Sequence, residues 1–192
     1  MDQIECGICG SLIASYDAIS FGSQETGYID LCSRCFSIEA AQLGKTGFEH
    51  VGFEPLEISD AEGTRHRFSF QLIHLGDRTV LKAFEVENAI PGGYEFQIVG
   101  HWQADPFELM AKLIERIKRG LSQQYLVQTN GRWTVADHKL RGRIDFDTQS
   151  PCPLPMLVID GRRISWQEAG KMLMAFEGWQ FQIEMKDPSE EF

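Results

Sequence analysis

Two cysteine pairs, Cys6-Gly7-Ile8-Cys9 and Cys32-Ser33-Arg34-Cys35, set the tightest limit on what this chain can fold into. Each is a C-x2-C turn, and 22 residues separate Cys9 from Cys32. One such turn can present two sulfurs to an ion while its backbone amides stabilise the negative charge. Two turns complete the four-ligand tetrahedral shell that zinc prefers. Cys6, Cys9, Cys32 and Cys35 are therefore the candidate metal ligands. Four thiolates leave no coordination position for water, so the expected zinc is structural rather than catalytic. Disulfides are the competing use of paired cysteines, and they rarely persist in a reducing compartment. The start of the chain, Met1-Asp2-Gln3-Ile4-Glu5-Cys6, lacks the basic and apolar regions of a secretory signal, so a cytoplasmic location is expected. A redox C-x-x-C needs one exposed pair in a strand-to-helix setting, not two pairs at zinc spacing.

The residues around the pairs supply local structure. Gly7 and Gly10 relieve the tight first turn, and residues 11–14 with residues 28–31 read as the two strands of a hairpin. The second pair opens a helix over residues 33–43, ended by Gly44. Knuckle, hairpin and ligand-bearing helix start make a treble-clef or zinc-ribbon-like module, which with its linker takes residues 1–60. The fifth cysteine, Cys152, stands between Pro151 and Pro153 with no flanking His or Asn motif, which suits an incidental thiol better than a nucleophile.

Charge narrows the choice of partners. The 192 residues carry 28 acids against 18 bases, a formal charge of -10. A broad electrostatic hold on nucleic acid starts at a disadvantage on such a chain. The acidity is concentrated at the front, where residues 1–60 hold 10 acids and 2 bases, while residues 103–163 hold 10 bases and 7 acids. No run of about 18 apolar residues is present, so no membrane span is expected. Seams fall at residues 44–63, rich in Gly and Glu, and at residues 148–155, which hold three prolines.

Residues 61–130 alternate and then change period. Phe68, Phe70 and Leu72 alternate with Arg67, Ser69 and Gln71 as a half-buried strand does. A second strand is expected over residues 80–87. Pro91-Gly92-Gly93 is read as the turn into a third, over residues 94–101. Asp105-Pro106-Phe107-Glu108 then carries the marks of a helix start, with Asp105 as cap, Pro106 in the first position and Glu108 able to reach back. Phe107, Met110, Leu113, Ile114, Ile117 and Leu121 recur at three- and four-residue steps, an apolar stripe to lay across an antiparallel meander.

Residues 131–192 read as a smaller α+β unit. Strands are expected over residues 140–146 and 156–159, and Asp160-Gly161 is a hairpin-turn dipeptide leading into Arg162-Arg163-Ile164. Ser165-Trp166-Gln167-Glu168 is a capping box on a helix whose stripe is Trp166, Ala169, Leu173 and Phe176. After Gly178, residues 179–185 place Trp179, Phe181, Ile183 and Met185 on one face of a closing strand. That spacing assigns Trp166, Phe176, Trp179 and Phe181 to a packed core rather than to a base-stacking platform. The tail, residues 186–192, is acidic and expected to fray.

The whole chain resembles a bacterial family of cytosolic proteins that join an N-terminal cysteine-rich zinc module to two domains of unknown function. The matching stretches are Tyr28-Ile29-Asp30-Leu31-Cys32-Ser33-Arg34-Cys35-Phe36, Gly93-Tyr94-Glu95-Phe96-Gln97-Ile98-Val99-Gly100, Val158-Ile159-Asp160-Gly161-Arg162 with Ser165-Trp166-Gln167-Glu168, and Phe176-Glu177-Gly178-Trp179-Gln180-Phe181. The resemblance implies zinc binding through Cys6, Cys9, Cys32 and Cys35 and a multi-part architecture. It brings no activity with it.

The functional expectation is a non-enzymatic cytosolic adaptor or regulatory protein that binds another protein. Two alternatives come from other classes. A nucleic-acid binder would use the zinc module with Arg141, Arg143, Arg162 and Arg163, which neighbouring strands could bring together. An enzyme would need a site assembled from distant residues such as His74, His101 and Asp77. The spacing of His66, His74 and His101 matches no metal motif, so paired or solvated strand histidines are expected.

Overall fold

The computed structural model describes residues 3–25, 27–87, 90–147 and 154–190. Cys152 and most of the proline-rich seam lie outside them. The architecture is α+β with antiparallel sheets.

At the front, β1 (Ile4–Glu5) pairs antiparallel with β2 (Leu12–Ile13) and closes the knuckle around the first cysteine pair. The hairpin is β3 (Ala18–Ser23) with β4 (Gly27–Cys32), in register from Ala18 opposite Cys32 to Ser23 opposite Gly27. Residues 11–14 therefore do not pair with residues 28–31 as expected. Strand β3 buries none of its residues, so it leaves no clear period in the sequence. Its turn depends on Gly22, at φ 145°, where an added Cβ would lie 2.0 Å from the Gly27 carbonyl oxygen. Helix α1 (Ser33–Gly44) begins at the second pair, as its spacing predicts. It ends one residue beyond Gly44, on Lys45 in the left-handed region, whose N–H bonds the Ala41 and Gln42 carbonyls.

The central sheet runs β5-β6-β7-β8, all antiparallel, through β5 (Leu56–Ser59), β6 (Arg65–Leu75), β7 (Arg78–Glu87) and β8 (Ile90–His101). Two details differ from expectation. The seam at 44–63 contains β5, and Pro91-Gly92-Gly93 belongs to β8, where the register shifts between Phe84 and Val86 as at a β-bulge. Asp105 caps α2 (Pro106–Leu121), accepting the Phe107 N–H at 2.8 Å. This helix buries Leu109, Leu113, Ile117 and Leu121 against Phe68, Leu72, Leu81 and Ala83. Each such side chain contributes about 1.5–3 kcal/mol relative to exposure. Phe107, expected in the stripe, is exposed, and Leu109 occupies the buried side instead.

Strand β6 is buried on both faces, not one. The register puts Phe68, Phe70, Leu72 and His74 towards α2 and Ser69, Gln71 and Ile73 on the opposite side. The N-terminal module covers that second side, with the rings of Tyr16 and Phe84 5.9 Å apart. Helix α1 also guards the part of the β6 edge that β5 leaves unpaired, since Ser37 Oγ accepts the His74 N–H at 3.0 Å.

The C-terminal unit opens with the hairpin β9 (Leu126–Thr129) and β10 (Arg132–Val135), which the sequence reading missed. A three-stranded sheet follows, β11 (Arg143–Phe146), β12 (Pro155–Ile159) and β13 (Arg162–Ser165), in that order. Asp160 and Gly161 turn β12 into β13 with φ 49° and 70°. Helix α3 (Trp166–Leu173) carries the expected capping box of Ser165 and Glu168.

Three expectations for this unit are corrected. The core holds Leu126, Ile159, Ile164, Ala169 and Met172, while Trp166, Leu173, Trp179 and Phe181 are exposed. The helix is too short to close over both sides of its small sheet, and Met172 rather than Leu173 faces inward. Residues 179–185 form no strand, because no neighbouring strand takes up their backbone. The tail is fastened rather than frayed through residue 190, since the Arg116 guanidinium donates to the carbonyls of Pro188, Ser189 and Glu190.

Candidate metal centre

The three short elements that carry the cysteines converge. The first knuckle supplies Cys6 and Cys9, and its Gly7 N–H bonds the Asp30 carbonyl of β4 at 2.8 Å, which ties the knuckle to the hairpin. Strand β4 ends on Cys32, and the first turn of α1 presents Cys35. All four sulfurs lie within 4.8 Å of one another, and Cys9 Sγ is 4.0 Å from Cys32 Sγ. A tetrahedral ion with sulfurs at about 2.3 Å requires separations of roughly 3.8 Å, so the cluster has the dimensions to hold one metal ion such as zinc.

The surroundings favour thiolate at part of the cluster. Burial pushes the Cys6 thiol up, but the amides of Cys9, Cys32 and Ile8 outweigh it and bring it down to about 6. The Cys32 N–H points at Cys6 Sγ over 3.3 Å. Hydrogen bonding with the Ser11 side chain and backbone lowers Cys9. Burial raises Cys32 and Cys35. Their charged forms need a cation to compensate the lost water, which is what a bound divalent ion supplies. Cys6, Cys32 and Cys35 are buried with Leu31, beneath Ile13, Phe21 and Phe36, while Cys9 is exposed. The rings of Phe21 and Phe36 meet edge to face at 5.8 Å and join the hairpin to α1.

The basic quartet is brought near one place but is not left uncompensated. Arg143 and Arg163 face the same side of the small sheet, both registered on Val158. Arg143 bonds Asp145 at 2.9 and 3.1 Å and Glu95 at 2.9 Å, and Arg163 reaches Asp145 at 3.7 Å. The Arg143 guanidinium in turn holds the Asp145 carboxyl below the usual range. Arg162 sits on the other side, 4.2 Å above the Trp133 ring. Arg141 lines a cavity of about 360 Å³ with Tyr94, Arg116, Arg143 and Asp160, bounded by residues 184–188 of the tail.

His74, His101 and Asp77 are not brought together. The register places His74 and His101 on opposite faces of the central sheet. His74 is buried, with Nε2 2.7 Å from Thr46 Oγ1 and Nδ1 without a partner among the described residues, and burial lowers its pKa. His101 is exposed and its Nδ1 accepts the Gln103 N–H.

A charged cluster that the sequence did not suggest lies at the far end of the sheet. His66 Nδ1 is 2.6 Å from Glu85 Oε1 and its Nε2 is 3.2 Å from Asp60 Oδ2. Burial pushes the Asp60 carboxyl up, but His66 and the amides of Thr64 and Glu62 outweigh it and hold it below the usual range. Glu85 also accepts the Tyr94 N–H at 2.8 Å, and the Gly161 turn of the C-terminal unit packs on Tyr94 and Glu85. The cluster thus seats the C-terminal unit on the sheet.

Three family models match the chain, each described as a domain of unknown function: DUF7685 over residues 5–44, DUF7686 over residues 49–122 and DUF7713 over residues 122–190. The first spans all four cysteines. Neither a curated protein nor a solved structure matches the chain. No helix among the described residues is long and apolar enough to cross a membrane.

Proposed function

We propose that this chain is a cytoplasmic, non-enzymatic adaptor, built on a structural zinc held by Cys6, Cys9, Cys32 and Cys35 in a treble-clef-like module, that binds another protein through its C-terminal unit. The observation that carries the reading is the outer side of α3. Trp166, Gly170 and Leu173 follow one another at helical spacing along α3, on a flank that adjoins the buried side of Ala169 and Met172, and Met174 continues them into the 3-10 turn Met174–Phe176. Trp166, Leu173 and Met174 are all exposed, and nothing lies within 4 Å of where a Gly170 Cβ would be. A contiguous apolar stripe on a short, well-capped helix suits a helix face that lies in a partner's groove. The zinc supports this by stiffening the front module, which α1 and Tyr16 dock onto the central sheet.

Pairing among the basic residues weighs against a nucleic-acid role, since Arg143 and Arg163 already share Asp145. The experiment is a quantitative pull-down from native extract with wild type and with Trp166→Glu and Leu173→Glu. Loss of the same retained protein in both variants, with zinc content and melting temperature unchanged, supports the reading. Retention unaffected by either substitution, or salt-sensitive retention on nucleic acid, overturns it.

A further inference from the structure

Residues 179–185 hold a strand pattern with no strand to join. Trp179, Phe181, Ile183 and Met185 alternate with Gln180, Gln182 and Glu184. The four apolar side chains are 60%, 86%, 67% and 69% exposed. Among the described residues, the backbone of 180–185 makes no backbone hydrogen bond. The segment is nonetheless held at both ends. The Trp179 N–H bonds the Phe176 carbonyl at 2.9 Å, and Arg116 gathers the carbonyls of 188–190. A strap held in this way leaves backbone donors and acceptors for another strand and has less ordering entropy to lose on association.

We propose that a second copy of this chain is the partner, and that two straps pair antiparallel about Gln182. The sequence is complementary to itself in that register. Trp179 falls opposite Met185 and Phe181 opposite Ile183 on one face, while Gln180 meets Glu184 and Gln182 meets Gln182 on the other. No carboxylate faces a carboxylate within the paired stretch. A parallel in-register pair would set Glu184 against Glu184 and lose this complementarity.

Edge-to-edge pairing covers the backbones and only the facing flanks of these side chains, so the contact is small. A contact of that size suits a weak two-fold dimer. A chain that bound no other protein would still pair in this way.

Sedimentation equilibrium of the full, zinc-loaded chain from about 1 to 200 µM tests the pairing. The expected result is a monomer–dimer equilibrium that Phe181→Glu weakens at least about 100-fold. Phe181 is the most exposed of the four, so the variant should melt with wild type at concentrations where both are monomeric. In a Cys152→Ser background, Gln182→Cys should oxidise to a disulfide-linked dimer. Gln180→Cys alone should not, while a mixture of Gln180→Cys and Glu184→Cys should. A monomer throughout the range, a dimer indifferent to Phe181→Glu, or self-linking of Gln180→Cys would overturn the proposal. So would a lower melting temperature of the Phe181→Glu monomer, which would place the strap inside its own chain.

Discussion

Replacing Asp160 separates the two demands its position makes. One carboxylate oxygen accepts the N–H groups of Tyr125 and Leu126, both at 2.7 Å, and the residue itself stands at φ 49° in the left-handed region. Burial pushes the Asp160 carboxyl up, and those two amides offset only part of that. Charge is thus the disfavoured property of the side chain, and its acceptor oxygen the useful one. Asp160→Asn keeps an oxygen for both donors and tolerates the left-handed backbone, so its stability should lie within about 1 kcal/mol of wild type. Asp160→Ala strands two part-buried donors at about 1–3 kcal/mol each and adds roughly 1 kcal/mol of left-handed strain. The expected loss is about 3–7 kcal/mol, a large share of the 5–15 kcal/mol that holds a typical domain. Urea denaturation at neutral pH, followed by tryptophan fluorescence, reads both variants. The linkage has a definite sign. A raised carboxyl binds protons in the folded chain that the unfolded chain has released, so wild-type stability falls as pH rises through the folded value. Asp160→Asn should lack that part of the slope. If the Asn variant were as damaged as the Ala variant, charge rather than acceptance would hold the turn to β9, and the reasoning would fail.

Three further outcomes follow from the geometry. Burial depresses His74, so its neutral form is the folded one, and stability should decline as pH falls below about 6.5, where the unfolded imidazole takes up a proton. Thermal melts from pH 7.5 to 5 should show a shallower decline for His74→Gln than for wild type, and equal slopes would exclude this residue as the source. Gly22→Ala drives a Cβ against the Gly27 carbonyl and disturbs the hairpin that delivers Cys32; we expect more than about 2 kcal/mol of destabilisation and faster zinc loss to a chromogenic chelator. Metal release at the wild-type rate would show that the hairpin does not set the site. Arg116→Ala removes the donor that gathers residues 188–190, and limited proteolysis should then cut the tail sooner while the core resists as before.

What could be read from the sequence was what is encoded within a few residues. The two C-x2-C turns, the Asp105 cap with Pro106, and the Ser165–Glu168 box each carry their own stereochemistry, and the structure forms all three local features. The β9–β10 hairpin was also legible, because Asn130-Gly131 is a primed-turn dipeptide and both residues have positive φ. The hairpin partner of β4 was not legible, since β3 buries nothing and so shows no period. The alternation at 179–185 states which residues share a face, but pattern alone does not name the strand that would pair with them. The same limit explains α3, where Trp166 and Leu173 fit an inward stripe as well as Ala169 and Met172 do until the sheet beneath is known. The Asp60–His66–Glu85 cluster draws on the turn after β5 and on strands β6 and β7, and the register of the sheet brings Glu85 to it.

The most direct test of the central claim is zinc-edge X-ray absorption on the purified chain, with metal content measured on the same sample. One zinc per chain, in a shell of four sulfurs at about 2.3 Å, is the expected result. Less than half an equivalent of zinc, or a shell containing nitrogen or oxygen, would contradict it.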